Sequence, residues 1–153
     1  MSPPTLFEWI GGEDILNELT SKFYVNVKED EILAPVFARM SDDHPAHVAA
    51  FIGEVFQGPK TYSLKHGGHP EMIRHHLGRQ LTEQQRRRWI NLLLDTYEEI
   101  GGPSDPEFAS AFVSYLEWGT RLAVINSQPG AKVFENAPMP KWGWGEVGGP
   151  YEP

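Results

Sequence analysis

Apolar residues recur at intervals of three and four along most of residues 13–126, and that period leaves the chain little to fold into except helices packed on helices. From Glu13 to Lys28, Ile15, Leu16, Leu19, Phe23 and Val27 make one face of an amphipathic helix. Tyr24 flanks this stripe, so its ring can be buried while its hydroxyl needs a partner. A short helical turn over Glu31–Phe37 is broken by Pro35. Ser41-Asp42-Asp43 offers an N-cap, and Pro45 suits a first turn. The helix begun there carries His44, Val48, Phe51, Ile52 and Val55 on its apolar face, with His47 at the edge, and stops at Gln57-Gly58-Pro59. Residues 59–68 read as an irregular loop, and His69–Leu77 as two or three helical turns ended by Gly78.

Thr82-Glu83-Gln84-Gln85 is a capping box ahead of a helix bearing Trp89, Leu92, Leu93, Thr96, Tyr97 and Ile100. Ser104-Asp105-Pro106-Glu107 resembles such a box and leads a helix to Asn126 with Phe108, Phe112, Tyr115, Leu116, Gly119, Leu122 and Ala123 on its face. The Gly101-Gly102-Pro103 link predicts that these two helices pack antiparallel. No strand pattern and no repeat interrupts the series, so the expected class is all-α, with one domain over residues 1–127. Residues 128–153, rich in Pro, Gly and Trp, lack periodicity and read as a flexible tail, because little apolar surface there offsets ordering entropy. Docking of Trp142 and Trp144 on the domain or on a partner is the alternative.

Composition narrows the chemistry. With no cysteine, disulfides, thiolate metal sites and cysteine nucleophiles are excluded. A net charge of -8, with one dense basic cluster at Arg86-Arg87-Arg88, argues against a nucleic-acid partner. No basic leader precedes an apolar run and no stretch is long enough to span a bilayer, so a cytoplasmic location is expected. Gly-x-Ser-x-Gly, Walker and Rossmann patterns are missing, as is His-Glu-x-x-His.

What remains is the stretch Gly67–Gly78, with three histidines and an arginine between glycine breaks. A neutral imidazole is a good iron, copper or zinc ligand, and one axial histidine suffices to hold a haem. His76 is the residue expected to do so, in an oily pocket with cations at its edge. Zinc at the pairs His44/His47, His66/His69 or His75/His76 is a weaker alternative, since structural zinc prefers four convergent ligands. Trp89 has an indole N–H that wants an acceptor when buried, and Tyr24 offers a second donor. A polar diatomic ligand in such a pocket would accept both.

Taken together, Phe23-Tyr24, Phe37, Gly58-Pro59, Tyr62-Ser63, Gly68-His69-Pro70, Arg74-x-His76, Trp89 and Tyr115-Leu116-Glu117 resemble the group II truncated haemoglobins of bacteria and plants. The likeness spans residues 5–130, and its specific part is the tryptophan thirteen residues after the histidine. It implies a two-over-two helical sandwich around haem b (iron protoporphyrin IX), with His76 the axial iron ligand and Tyr24 and Trp89 the distal donors. By the same resemblance Phe37 packs on the haem, His44 and Val48 face the bound ligand, and His47 and Arg74 lie near the propionates. Phe51, Tyr62, Met72 and His75 complete the expected cofactor-binding set.

This chain departs from the family pattern at three places. His44 stands where a small residue is common, and could donate to the ligand, gate its entry or bind iron as a sixth ligand. Gln57-Gly58 replaces a usual Gly-Gly, and His75 replaces a common arginine. The expected function is reversible binding of dioxygen, CO and NO at ferrous haem, in a monomer or homodimer. The alternatives are a peroxidase or nitric-oxide-detoxifying enzyme served by a reductase, and a haem-free globin-fold interaction domain.

Overall fold

The computed structural model describes residues 3–145, in seven helices: α1 (Leu6–Ile10), α2 (Glu13–Lys28), α3 (His44–Val55), α4 (Thr61–His66), α5 (Gly68–His76), α6 (Glu83–Glu99) and α7 (Pro106–Asn126). Among the described residues there is no strand. Helices α2 and α3 pack as one pair and α6 and α7 as the other, with α2 lying against α6, so the fold is a two-over-two sandwich. Leu16, Leu19, Phe23 and Val27 of α2 are fully enclosed between the pairs, as the period-3.6 stripe requires. Leu93 of α6 and Phe108, Phe112 and Leu116 of α7 close the other side of this core.

Two helices escape the apolar period. The lead-in contains α1, because Thr5 and Glu8 form a reciprocal capping box and Leu6 and Ile10 are buried. The segment expected to be an irregular loop contains α4, and the reason is tertiary. Glu54, at the end of α3, accepts hydrogen bonds from the Ser63 backbone N–H at 2.8 Å and from its hydroxyl, which fixes this short helix without help from propensity. The Thr82 capping box forms as expected, whereas α7 is capped by Asp105, whose carboxylate accepts from the Phe108 N–H at 2.8 Å. Ser104 is therefore not the cap. Likewise α3 starts after Asp43 without a side-chain cap bond.

At the close of α3 the backbone is approached closely. Gly58 donates to the Gly53 carbonyl at 2.8 Å, and Phe7 of α1 lies flat against it. A Cβ on Gly58 would stand 2.6 Å from the Phe7 ring and 2.8 Å from that carbonyl. Gln57 just before it takes φ 71°, a left-handed conformation that favours glycine.

Arg86 ties α6 to α7. Its side chain is only 2% exposed and reaches Glu83 at 2.5 Å, Glu117 at 2.8 Å and Thr120 at 3.3 Å. Its guanidinium holds the Glu83 carboxyl down to about 2.

Residues 128–145 of the segment read as a tail lie along the domain, and its remaining residues, 146–153, fall outside the described part. Trp142 and Trp144 take the docked alternative. Trp142 packs against Tyr115 and Trp118, and Trp144 against Trp9 and Phe108.

Gly58→Ala should lower stability by about 1–3 kcal/mol, the usual range for overpacking. A thermal melt reads this as a fall of roughly 2–4 °C per kcal/mol for a chain of this size. An unchanged midpoint would mean that the Phe7 ring gives way at no cost.

Candidate functional site

Between the two helix pairs the chain leaves a cavity of about 440 Å³. Native interiors are otherwise close-packed, so a void of this size marks a place for something other than side chains. Every helix from α2 to α7 supplies part of its wall. The lining is mainly apolar, with Leu33, Val36, Phe37 and Met40 from the turn region, Val48, Phe51 and Ile52 from α3, and Met72 and Ile73 from α5.

Three polar groups meet on one side of it. The Tyr24 hydroxyl lies 3.1 Å from His44 Nε2, and the Trp89 indole lies close enough to the phenol to oppose the effect of burial on it. An indole N–H can only donate, so toward it the phenol oxygen can act only as an acceptor. The phenol proton is then left for His44 or for a ligand. Burial raises the pKa of Tyr24 well above its ordinary value, so the phenol stays protonated. Phe37 stacks edge-on to Tyr24, with centroids 5.4 Å apart, and holds the ring in place.

His44 is pushed down to about 4, chiefly by burial and then by the neighbouring His75 and His47. A neutral ring keeps one nitrogen as an acceptor, and Nε2 is the nitrogen facing Tyr24.

His76 comes from α5 as its last residue and lines the same cavity. Burial pushes it down to about 4, and Arg79 adds to this, while a hydrogen bond to the Met72 carbonyl acts in the opposite direction. The ring is thus neutral, and a neutral imidazole nitrogen has the chemistry of a metal ligand.

Of the residues expected from sequence, Tyr24, Phe37, His44, His47, Val48, Phe51, Tyr62, Met72, His75, His76 and Trp89 all line the cavity. Arg74 lies outside the wall, where it pairs with Glu71 at 3.1 Å and with Glu135. Arg39 and Arg79 line the cavity instead, and the sequence reading missed both. Arg39 carries no local signal, since it sits in a turn region of no fixed period. Arg79 carried one: a cation just past the end of α5, where it donates to the His75 carbonyl. His47 and His66 stack at 4.2 Å, with Asp43 3.5 Å from His47. Among the described residues, however, no group of three or more His, Asp or Glu side chains converges as a metal site would require.

Tyr24→Phe would leave His44 Nε2 without its hydrogen-bond partner. The expected loss is about 1–3 kcal/mol, the cost of stranding a buried polar group. Urea unfolding of the two proteins measures it, and equal midpoints would show that the Tyr24–His44 bond adds nothing to stability.

Comparison with known proteins places this arrangement. A family model described as bacterial-like globin matches residues 5–118. The Group 1 truncated hemoglobin GlbN of Nostoc sp. (strain MUN 8820) is 34% identical over 80 residues, which cover 52% of this chain and 64% of that protein, a little under two thirds of its length. The Group 2 truncated hemoglobin YjbI of Bacillus subtilis (strain 168) is 27% identical over 90 residues, or 59% of this chain and 67% of the relative. In three dimensions the group II truncated hemoglobin from Bacillus anthracis superposes with a TM-score of 0.72 at 23% identity, over 85% of this chain and 98% of that one. The helical sandwich described above is therefore the two-over-two fold of truncated hemoglobins, and with the family match running from α1 through most of α7, this chain belongs to the bacterial-like globins.

Proposed function

We infer that the cavity holds haem b, that His76 is its axial iron ligand, and that the protein reversibly binds dioxygen and related gases. The observation that supports this reading is that one mainly apolar cavity is lined both by the buried, neutral His76 and by Trp89 and the hydrogen-bonded pair Tyr24–His44. The residues fit the group. Apolar walls suit a porphyrin face, and Arg39 and Arg79 supply cations for its carboxylates. Bound there, ferrous haem supplies the site at which dioxygen, CO or NO binds reversibly.

The chain's own residues do the rest. Burial keeps the His76 ring neutral and so able to bind a metal. Trp89 and Tyr24 each present a donor to the polar end of a ligand, worth about 1.5–3 kcal/mol where the acceptor carries charge. His44 stands as partner to Tyr24 rather than as a second ligand, because its Nε2 is already engaged at 3.1 Å. It can take the phenol's proton in a hydrogen bond when no ligand is present, and release it to a ligand when one arrives.

Reconstitution with haemin is the direct test. A strong Soret band in the wild type that is lost in His76→Ala supports the reading, and a folded protein that stays colourless overturns it. In the loaded ferrous protein, Trp89→Phe should speed dioxygen dissociation by roughly 10- to 100-fold, since about 1.4 kcal/mol is tenfold. Flash photolysis or stopped-flow mixing measures the rate, and an unchanged value removes Trp89 from ligand holding.

A further inference from the structure

One stretch of cavity wall is built by chain beyond the family match. Residues 131–145 leave the end of α7 without helical structure and run back over the domain. Pro140 is one of the residues that line the cavity, as do Phe51, Tyr62 and His69. Two residues earlier, the Pro138 carbonyl lies 3.1 Å from His69 Nδ1 on α5. Two residues later, Trp142 is held to the end of α3 by both main-chain groups. Its N–H donates to the Val55 carbonyl at 2.8 Å, and its carbonyl accepts from Gln57 Nε2 at 3.0 Å.

The Trp142 ring seats on Tyr115 and Trp118, with centroids 5.6 Å away in each case, and both of those residues line the cavity. Farther along, the Trp144 indole donates to the Pro4 carbonyl at 2.8 Å and meets Trp9 edge-on. The segment is thus pinned on both sides of Pro140, the residue through which it lines the cavity.

We propose that residues 138–142 form a latch over the cavity and control release of the tetrapyrrole bound there. This rests on the haem reading above. The helical walls belong to the buried core and open only with much of the fold, whereas a non-helical segment held by a few partly exposed hydrogen bonds opens locally at far lower cost. Release therefore runs through the latch, and its rate reports how firmly Trp142 is seated. Gln57 fits this role: it holds a left-handed backbone, and its side chain is spent on the Trp142 carbonyl.

The experiment loads the full chain with haemin and follows its transfer to an excess of a high-affinity apo-globin by absorbance. Trp142→Ala should lose haemin at least about tenfold faster, equivalent to ~1.4 kcal/mol of hold. Trp142→Phe, which keeps an aromatic ring and the main-chain bonds, should restore a rate close to wild type. Gln57→Asn tolerates the left-handed backbone but cannot reach the Trp142 carbonyl, and should speed loss by about threefold. It leaves the core untouched, so it tests the latch even if Trp142→Ala fails to fold.

Amide exchange at Trp142 gives a second readout and should slow on loading. A normal Soret band with equal loss rates in all variants overturns the latch alone. A wild-type chain that takes up no haemin overturns the haem reading, and the latch with it.

Discussion

A phenol hydroxyl buried deep in a helical protein must be paired, and much of the site's architecture answers that demand at Tyr24. Tyr24 is 3% exposed, on an α2 face whose other buried residues are Leu16, Leu19, Thr20, Phe23 and Val27. Its hydrogen-bond partner His44 comes from α3, and the Trp89 indole close to it from α6. One hydroxyl thus ties together positions on three helices. It also settles roles, because an indole only donates and a neutral imidazole offers one acceptor. The Tyr24–His44 pair is complete without a ligand, which lets the cavity stand open without an orphaned polar atom, and among the described residues no buried side-chain polar atom lacks a partner.

Charge is organised on two scales. The chain as a whole carries -8, yet the cavity is lined by Arg39, Arg79, His75 and His47. Burial disfavours the charged forms of His44 and His76, and the nearby cations push in the same direction. The two imidazoles inside are therefore neutral chiefly because they are buried, and the basic lining adds to that. The guanidinium of Arg86, which also lines the cavity, is claimed by carboxylates. Three hydrogen-bonding partners surround it, which is what lets a charge sit at such low exposure between α6 and α7.

The parts of this that sequence could reveal are those written in a period. The stripes of α2, α6 and α7, and the placing of His44 and Val48 on an inward face, follow from spacing alone. The parts it could not reveal depend on partners distant in the chain. Helix α4 has six residues, too few to show a period, and it is held by Glu54 from another helix. Arg74 and Arg79 lie close together in sequence, and the choice of Arg74 as the pocket cation required knowing that Glu135 would capture it. Trp142 and Trp144 read as surplus aromatics in a segment without a pattern. Their seats, Tyr115, Trp118, Trp9 and Phe108, are spread across helices that only the tertiary fold brings together.

The end of α3 shows how such distant choices come to depend on one another. A helix leaves its last carbonyls without partners in its own ladder, and something must meet them. Here the Phe7 N–H of α1 takes the Phe56 carbonyl at 3.0 Å, and the Trp142 N–H takes the Val55 carbonyl at 2.8 Å. Both chain ends thereby close on the helix that carries His44. The close approach at Gly58 admits Phe7, and the left-handed turn at Gln57 directs a side-chain amide to Trp142. A glutamine in a glycine's conformation would be a pure cost if its side chain met only solvent. Its bond to Trp142 offsets part of that cost and gives a physical reason for a residue other than glycine at this turn.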